Sequence, residues 1–277
     1  PKLAADVVAR IRAIGQETKS EERLQRGDIL LELALSDMHI GAWTNGPPKK
    51  HAKRCVKTAK RLALRADAQA NIGRVLLVLA GDTFHADTLK GETTKGTALE
   101  DVGAPYEDIF REGVAAICAL VNWLAKRWPV DVEVVPGNHD RLASFHLGEL
   151  LEAAYKGNRR VNINGGLEPF RRVRWGTVLL GLAHGDTPRS IGDLRDLMSS
   201  QWPQDWGETT FREWHTGDKH RQQQFEKGGV RIRVLPPLVG RSAYATHKGY
   251  TDSHQGAEGY LWHRRDGYMG HLFEVSG

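Results

Sequence analysis

With 277 residues, 40% of them hydrophobic and 26% charged, the chain has the size and balance of a globular protein built on one large α/β core. No apolar run approaches the ~18 residues of a membrane span, and residues 2–19 are charged and amphipathic, which excludes an apolar signal core there. A net charge of +5 and a pI near 9.2 lean mildly towards a polyanionic partner, and two cysteines far apart, Cys55 and Cys118, exclude a disulfide framework or thiolate metal site and predict a reducing, cytoplasmic setting.

Residues 1–25 carry Val7, Val8, Ile11 and Ile14 at helical spacing, predicting a surface helix and a charged linker. Ile29–Leu35 reads as a strand that ends in Ser36-Asp37-Met38-His39. On an extended backbone Asp37 and His39 would point the same way, a spacing that suits one metal ion. Lys49–Ile72 reads as a helix with one apolar face and one basic face, from Lys49, Lys50, Lys53, Arg54, Lys57, Lys60, Arg61 and Arg65. Such a run is usually a solvated face; a phosphate-backbone track is the second reading. Val75–Ala80 is a nearly continuous apolar run, as in a central parallel strand, and ends in Gly81-Asp82-Thr83-Phe84-His85. Residues 86–105 then show no periodicity. Their length and their place after Asp82 predict a lid or substrate guide, the plain alternative being a loose insertion.

Tyr106–Trp128 has the apolar stripe of a helix. Val130–Val135 reads as a strand running into a Pro-Gly turn that presents Asn138, His139 and Asp140. Ser144–Lys156 reads as a helix, and Val161–Ile163 and Phe170–Val173 as short strands. Thr177–Ala183 reads as a strand ending in His184-Gly185-Asp186. A helix over Arg189–Ser200 and a loop over Gln201–Gly207 lead to a strand at Phe211–Thr216, followed by Gly217-Asp218-Lys219-His220. Val230–Leu235 completes the strands before a hairpin at Tyr260–Val275, turning at Asp266-Gly267. No internal repeat or domain boundary is visible, so residues 1–277 read as a single domain.

Five strand ends thus carry Asp37 and His39, Asp82, Asn138 and His139, His184, and Asp218 and His220. Oxygen and nitrogen donors without cysteine suit manganese, iron or zinc better than calcium cages or thiolate zinc sites. The seven donors Asp37, His39, Asp82, Asn138, His184, Asp218 and His220 are too many for one ion and suit two ions sharing a carboxylate.

The order D-x-H, G-D, G-N-H-D, H-G and G-x-x-H across residues 29–235 resembles the calcineurin-like metallophosphoesterase superfamily. That resemblance implies an α/β fold: a four-layer α/β/β/α sandwich of two mixed sheets packed face to face with helices outside. It implies two divalent metal ions, manganese first, with iron, zinc or magnesium as alternatives. Asp37, His39 and His220 would hold the first ion, Asn138 and His184 the second, and Asp82 would bridge them. The family's last motif is usually G-H-x-H, so Asp218 stands where a second-metal histidine is expected. A carboxylate oxygen can replace an imidazole there. Asp218 and His220 share a strand phase; His215, on the opposite phase, is not expected to substitute.

Two ions roughly 3.5–4 Å apart would clamp a phosphate and activate a water for in-line attack. His139 would serve the leaving group. Asp140 either orients His139 or caps the turn, and Arg141 either meets a phosphate oxygen or lies on the surface. The G-D-x-F-H of residues 81–85 is similar to SbcD-type DNA repair nucleases, which implies that His85 positions a phosphodiester. With the basic pI this points to DNA as the substrate of a nuclease. A small-molecule phosphoesterase for cyclic or other nucleotides is the alternative, and an inactive scaffold the third reading. The arrangement also resembles phage-encoded metallophosphoesterases. No ATPase partner is expected.

Overall fold

Alternation along the central strands divides their side chains between two faces. In β1 (Ile29–Leu35), Leu31, Leu33 and Leu35 enter one core, while Leu30 and Ala34 enter another. β2 (Ile72–Ala80) divides in the same way, with Val75, Leu77 and Leu79 opposite Leu76, Val78 and Ala80. Sheets with both faces covered need such double-sided strands. In the computed structural model the described residues are 27–187, 192–240 and 254–276, with Ala13 before them. The helix expected in residues 1–25 otherwise lies outside the described residues.

One sheet has six strands, ordered β11-β10-β1-β2-β3-β4, from β3 (Val130–Val135), β4 (Val161–Asn164), β10 (Gly256–His263) and β11 (Gly267–Val275). The second has five, ordered β5-β6-β7-β9-β8, from β5 (Phe170–Trp175), β6 (Val178–Ala183), β7 (Phe211–Thr216), β8 (Gln223–Lys227) and β9 (Val230–Val234). β1 to β4 run parallel, as do β6, β7 and β9; antiparallel pairing occurs at the β10-β11 side of the first sheet and at both edges, β5 and β8, of the second. Three apolar seams separate four layers. Helices α1 (Pro48–Asp67), α2 (Tyr106–Ala125) and α3 (Arg141–Tyr155) pack on the first sheet. The sheets face each other across Leu76, Val78, Leu180, Leu182 and Trp262. Helix α4 (Asp193–Gln201) covers the far side through Leu194 and Met198 against Trp214 and Ile232. This is the expected α/β sandwich.

Several boundaries differ from the sequence reading. β2 starts at Ile72, three residues early, because Ile72 packs in the core opposite Ile29. α3 starts at Arg141, directly after Asp140. The expected loop 201–207 contains a short helix, α5 (Pro203–Glu208), with proline in its first turn, where a missing N–H costs nothing. β8 gave no signal, since Gln224 to Lys227 are exposed and it pairs only along the β9 edge. Among the described residues no helix is long and apolar enough to cross a membrane. Cys55 and Cys118 are free and buried, and burial pushes their thiols up to about 12 and about 11. Neither is poised as a thiolate.

Beneath β1 and β7 the seam between the sheets is polar. His215 is fully enclosed between Glu32 on β1 (Nδ1 to Oε1, 2.6 Å) and Glu213 on β7 (Nε2 to Oε1, 3.0 Å). Trp262 donates its indole N–H to the other oxygen of Glu32 at 2.9 Å, and Arg233 pairs with Glu213. The opposite strand phase of His215, read from the sequence, thus places it in the core.

Candidate metal centre

Parallel strands deliver their carboxyl ends to one edge of the sandwich, where ligands gather in α/β sheets. The ends of β1, β2, β3, β6 and β7 meet there. Hydrogen bonds join the two sheets at this edge: Val239 N–H, beyond β9, donates to Asp37 O at 2.8 Å, and the Asp218 N–H, beyond β7, to the Asp37 carboxylate at 3.2 Å, while Gly217 N–H ties the β7 end to His184 O of the same sheet at 2.6 Å. His39 N–H donates to Asp82 O at 2.8 Å.

The backbone at these ends is left-handed. Among the described residues the non-glycine positions with positive φ are Asp37 (48°), His39 (43°), Asp82 (48°), Asp218 (66°) and His220 (49°). L-residues rarely adopt this region, and strain of ~1–3 kcal/mol per residue persists only where surroundings over-determine it. The extended geometry expected for Asp37-x-His39 and Asp218-x-His220 is therefore replaced by tight turns. β1 stops at Leu35 and β7 at Thr216, and the turns rather than a strand phase aim the donors. Two glycines let the turns close. A Cβ on Gly81 would lie 2.2 Å from His184 Nδ1, and one on Gly137 would lie 2.0 Å from Asp82 Oδ1.

Three groups of donors converge. Asp37, His39 and His220 form one, Asp37, Asp82 and His184 a second, and His39, His85 and His139 a third, each with candidate ligand atoms within 4.8 Å of one another. Asp37 and His39 each belong to two of them, and Asp82 Oδ2 lies 3.2 Å from His184 Nε2 and 3.5 Å from His39 Nε2. His220 Nε2 lies 3.3 Å from Asp37 Oδ1. Ser36, which the sequence reading passed over, donates its hydroxyl to Asp37 Oδ2.

The nitrogen atoms fit a cation site. His184 is placed to donate Nδ1–H to the carbonyl of Ala80 at 3.1 Å. Its Nε2 then faces three oxygens: Asn138 Oδ1 at 3.0 Å, Asp82 Oδ2 at 3.2 Å and Asp218 Oδ1 at 3.7 Å. A lone pair aimed at three acceptors is repulsive unless a proton or a cation lies between them. Although burial opposes it, Asp82 raises the proton affinity of His184 well above that of an ordinary imidazole. The electric field of this pocket favours positive charge. His39 Nε2 is buried with no hydrogen-bond partner, 3.5 Å from Asp82 Oδ2. Burial holds the His39 ring well below its ordinary range, so it is neutral and can offer a lone pair. Burial also works against the charge on Asp82, yet His184 and His39 hold its carboxyl below the ordinary range.

Asp218 stands at the edge of this group. One oxygen faces His184, while the other pairs with Lys219 Nζ at 2.5 Å. Replacing it tests its part directly: Asp218→His is expected to keep or tighten binding of the second equivalent of manganese in calorimetric titration. Loss of that equivalent would show that the carboxylate itself is required.

The remaining expected residues surround the donors. His139 donates its backbone N–H to Asp82 Oδ1 at 2.9 Å, and its Nδ1 lies 2.9 Å from the carbonyl of His85. With Nδ1–H donated there, Nε2 is its reactive atom. Asp140 is fully buried, with Oδ1 accepting from Gly137 N–H at 2.9 Å and Oδ2 from Phe84 N–H at 3.0 Å. It clamps the turn to the β2 end, and no hydrogen bond joins it to the His139 ring. The capping reading describes this residue. Arg141 opens α3, a third exposed, with its guanidinium 3.6 Å from Asp186.

His85 differs from expectation. Both ring nitrogens are engaged, Nδ1 by His39 Nδ1 at 3.1 Å and Nε2 by Asp101 Oδ1 at 2.9 Å. It is 5% exposed, and a ring so occupied has no free nitrogen for a phosphate. The hydrogen bond from His85, against the effect of burial, holds the Asp101 carboxyl below its ordinary range. Asp101 lies in the aperiodic 86–105 segment, where nothing in the local sequence singles it out. That segment is no loose insertion. Thr94 N–H donates to Asn138 O at 3.3 Å, and Asp87 accepts from Leu142 N–H at 3.1 Å and Ala143 N–H at 2.7 Å, capping α3.

Solved structures are similar to the chain at low identity and low TM-score. YfcE, a phosphoesterase from E. coli, is 15% identical over 87% of this chain and 98% of its own, with a TM-score of 0.43. Vacuolar protein sorting 29 from Cryptosporidium parvum is 15% identical over 89% and 97%, with a TM-score of 0.41. An archaeal phosphodiesterase is 12% identical over 88% and 99%, with a TM-score of 0.42. No curated protein sequence matches the chain. The sequence profile of calcineurin-like phosphoesterases matches residues 33–244, a span that holds every strand-end donor from Asp37 to His220, and the chain belongs to that family.

Proposed function

We propose that the protein is a phosphodiesterase dependent on two divalent cations, manganese foremost, and that it cleaves DNA as a nuclease. The coincidence of left-handed backbone with donor side chains at Asp37, His39, Asp82, Asp218 and His220 carries the metal-centre reading. Strain gathered on ligand-type residues alone is the mark of a built site. Asp37, His39 and His220 would hold one cation and His184 and Asn138 the other, with Asp82, whose Oδ2 faces both His39 and His184, bridging them. When bound, two such cations supply charge neutralisation of the phosphate and activation of a water. His139 Nε2 is placed to donate a proton or hydrogen bond to the leaving oxygen. Arg141, at the start of α3, adds a cation where a helix N-terminus already favours phosphate. His139→Ala is expected to cut turnover about 10²-fold or more while sparing metal content measured by plasma mass spectrometry. Equal loss of metal would make His139 structural instead.

The DNA reading draws on charge and on one aromatic side chain. Lys49, Lys50, Lys53 and Lys57 are exposed on the first half of α1 and hold no ion pair among the described residues. This end of the helix is tied to the site, since the buried His51 Nε2 lies 2.6 Å from Met38 O. Trp43, four residues after His39, is 69% exposed and offers a face on which a base can stack. A small-nucleotide substrate is the second reading. It draws on the other half of the basic run, where Arg61 and Arg65 pair with Glu274 and Lys60 lies over Trp123, leaving only a short phosphate track. The test offers manganese-loaded protein single-stranded DNA, duplex DNA, RNA and a cyclic dinucleotide in parallel, over a salt series. Cleavage of DNA, with affinity falling steeply as salt rises, is expected. Hydrolysis of the cyclic dinucleotide with DNA left intact would replace the first reading by the second.

A further inference from the structure

The 86–105 segment reaches the His39–His85 pair through the side chain of Asp101. Asp101 is carried beside His85 by a backbone lattice: Trp43 N–H donates to Asp101 O at 2.7 Å, Gly103 N–H to Gly41 O at 2.7 Å, and His85 N–H to Ile40 O at 3.1 Å. The 40–43 segment is thus held between the β2 end and the inserted loop. His39, at its start, shares that framework.

We propose that Asp101 is a positioning residue which, through His85, sets the tautomer of His39 and thereby the affinity of the cation that His39 would hold. This rests on the two-cation reading above. The hydrogen bonds dictate one another in sequence. A carboxylate can only accept, so the proton of the 2.9 Å Asp101–His85 bond sits on His85 Nε2. With that proton on Nε2, Nδ1 is the atom His85 offers as an acceptor. His39 Nδ1 lies 3.1 Å from it, and two bare nitrogens at that distance repel, so His39 carries its proton on Nδ1 and donates it. Donating from Nδ1, His39 is left with a lone pair on Nε2, the atom buried without a hydrogen-bond partner beside Asp82. Three side chains therefore form a proton-ordered line from a half-exposed loop carboxylate to a ligand nitrogen. Outer partners of metal-bound histidines act in this way, orienting the ring and raising its basicity. Here the outer partner is a second histidine, and the charge that orders it comes from the insertion.

The variant is Asp101→Ala, with Asp101→Asn as the conservative partner that keeps an acceptor oxygen, and Glu100→Ala as a same-loop control that removes an exposed carboxylate from the neighbouring position. The first readout is the imidazole ¹⁵N spectrum of the metal-free protein. In the wild type His39 is expected to show a protonated Nδ1 and a bare Nε2, with the reverse for His85. Asp101→Ala is expected to mix the two tautomers of both rings, Asp101→Asn to restore most of the order, and Glu100→Ala to change nothing. The second readout is manganese binding by calorimetry, where Asp101→Ala should weaken one of the two equivalents about 10- to 100-fold. An unchanged His39 spectrum in Asp101→Ala, or unchanged affinity for both equivalents, overturns the proposal. A wild type with the ordered tautomers but no manganese binding overturns the two-cation reading and the affinity claim with it, while leaving the tautomer relay standing as a separate result.

Discussion

Asp82→Asn is expected to reduce phosphodiester turnover by about 10³-fold or more, close to the limit of detection. Each Asp82 oxygen has a task. Oδ1 accepts the backbone N–H of His139, which fixes the turn carrying Asn138 and His139. Oδ2 lies 3.2 Å from His184 Nε2 and 3.5 Å from His39 Nε2, one nitrogen from each of two donor groups. An asparagine of the same shape keeps one acceptor oxygen for the His139 N–H but brings no negative charge. The amide would also turn an N–H₂ towards one of these neighbours. Rate with a chromogenic diester and metal content by plasma mass spectrometry should fall together. A circular dichroism melt should show the fold retained, because the three apolar seams do not depend on this carboxylate. Normal turnover in Asp82→Asn would contradict the whole account of the site.

The second large effect lies away from the chemistry. His215→Ala is expected to lower the unfolding free energy by about 3–5 kcal/mol, the usual result of stripping one partner from a buried ion cluster. Glu32 and Glu213 would be left facing each other in the seam between the sheets, with Arg233 on Glu213 and the Trp262 indole on Glu32 as compensation. The Tyr260 ring, 4.2 Å from the imidazole centroid, would lose a packing surface as well. Despite burial, Glu32 and Glu213 raise His215 to about 10, so it is an imidazolium in the folded state. An unfolded histidine titrates near 6.5. The folded state therefore binds the extra proton more tightly, and the stabilisation is complete below about pH 6.5 and lost as pH rises through 10. Urea unfolding of wild type and His215→Gln should show the difference between them shrinking from pH 6 to pH 10. Parallel stability curves across that range would remove the imidazolium from the account.

Four of the five strand ends were legible in the sequence because their donors follow largely apolar runs, while β7, with Arg212, Glu213 and His215, shows no such run. Val75–Ala80 before Asp82 and Val130–Val135 before Asn138 are the clearest cases. Residue type there restricts both position and chemistry, and the family profile agrees with it. The order of the strands within each sheet was not legible, because pairing partners lie far apart in sequence. β1 meets β10 across more than two hundred residues. The turn geometry was hidden for a different reason: left-handed backbone at Asp37 or His220 is imposed by neighbours against local preference. Periodicity reports only which face a side chain takes along a regular element. It therefore set His215 apart from the donors, but said nothing of the glutamates enclosing it. Asp101 in its acidic, aperiodic segment gained meaning only when backbone bonds to residues 40–43 brought it to His85. Local composition determined which donors this protein has and at which ends; only long-range contacts, which no short window of sequence contains, decided where those donors point and what stands behind them.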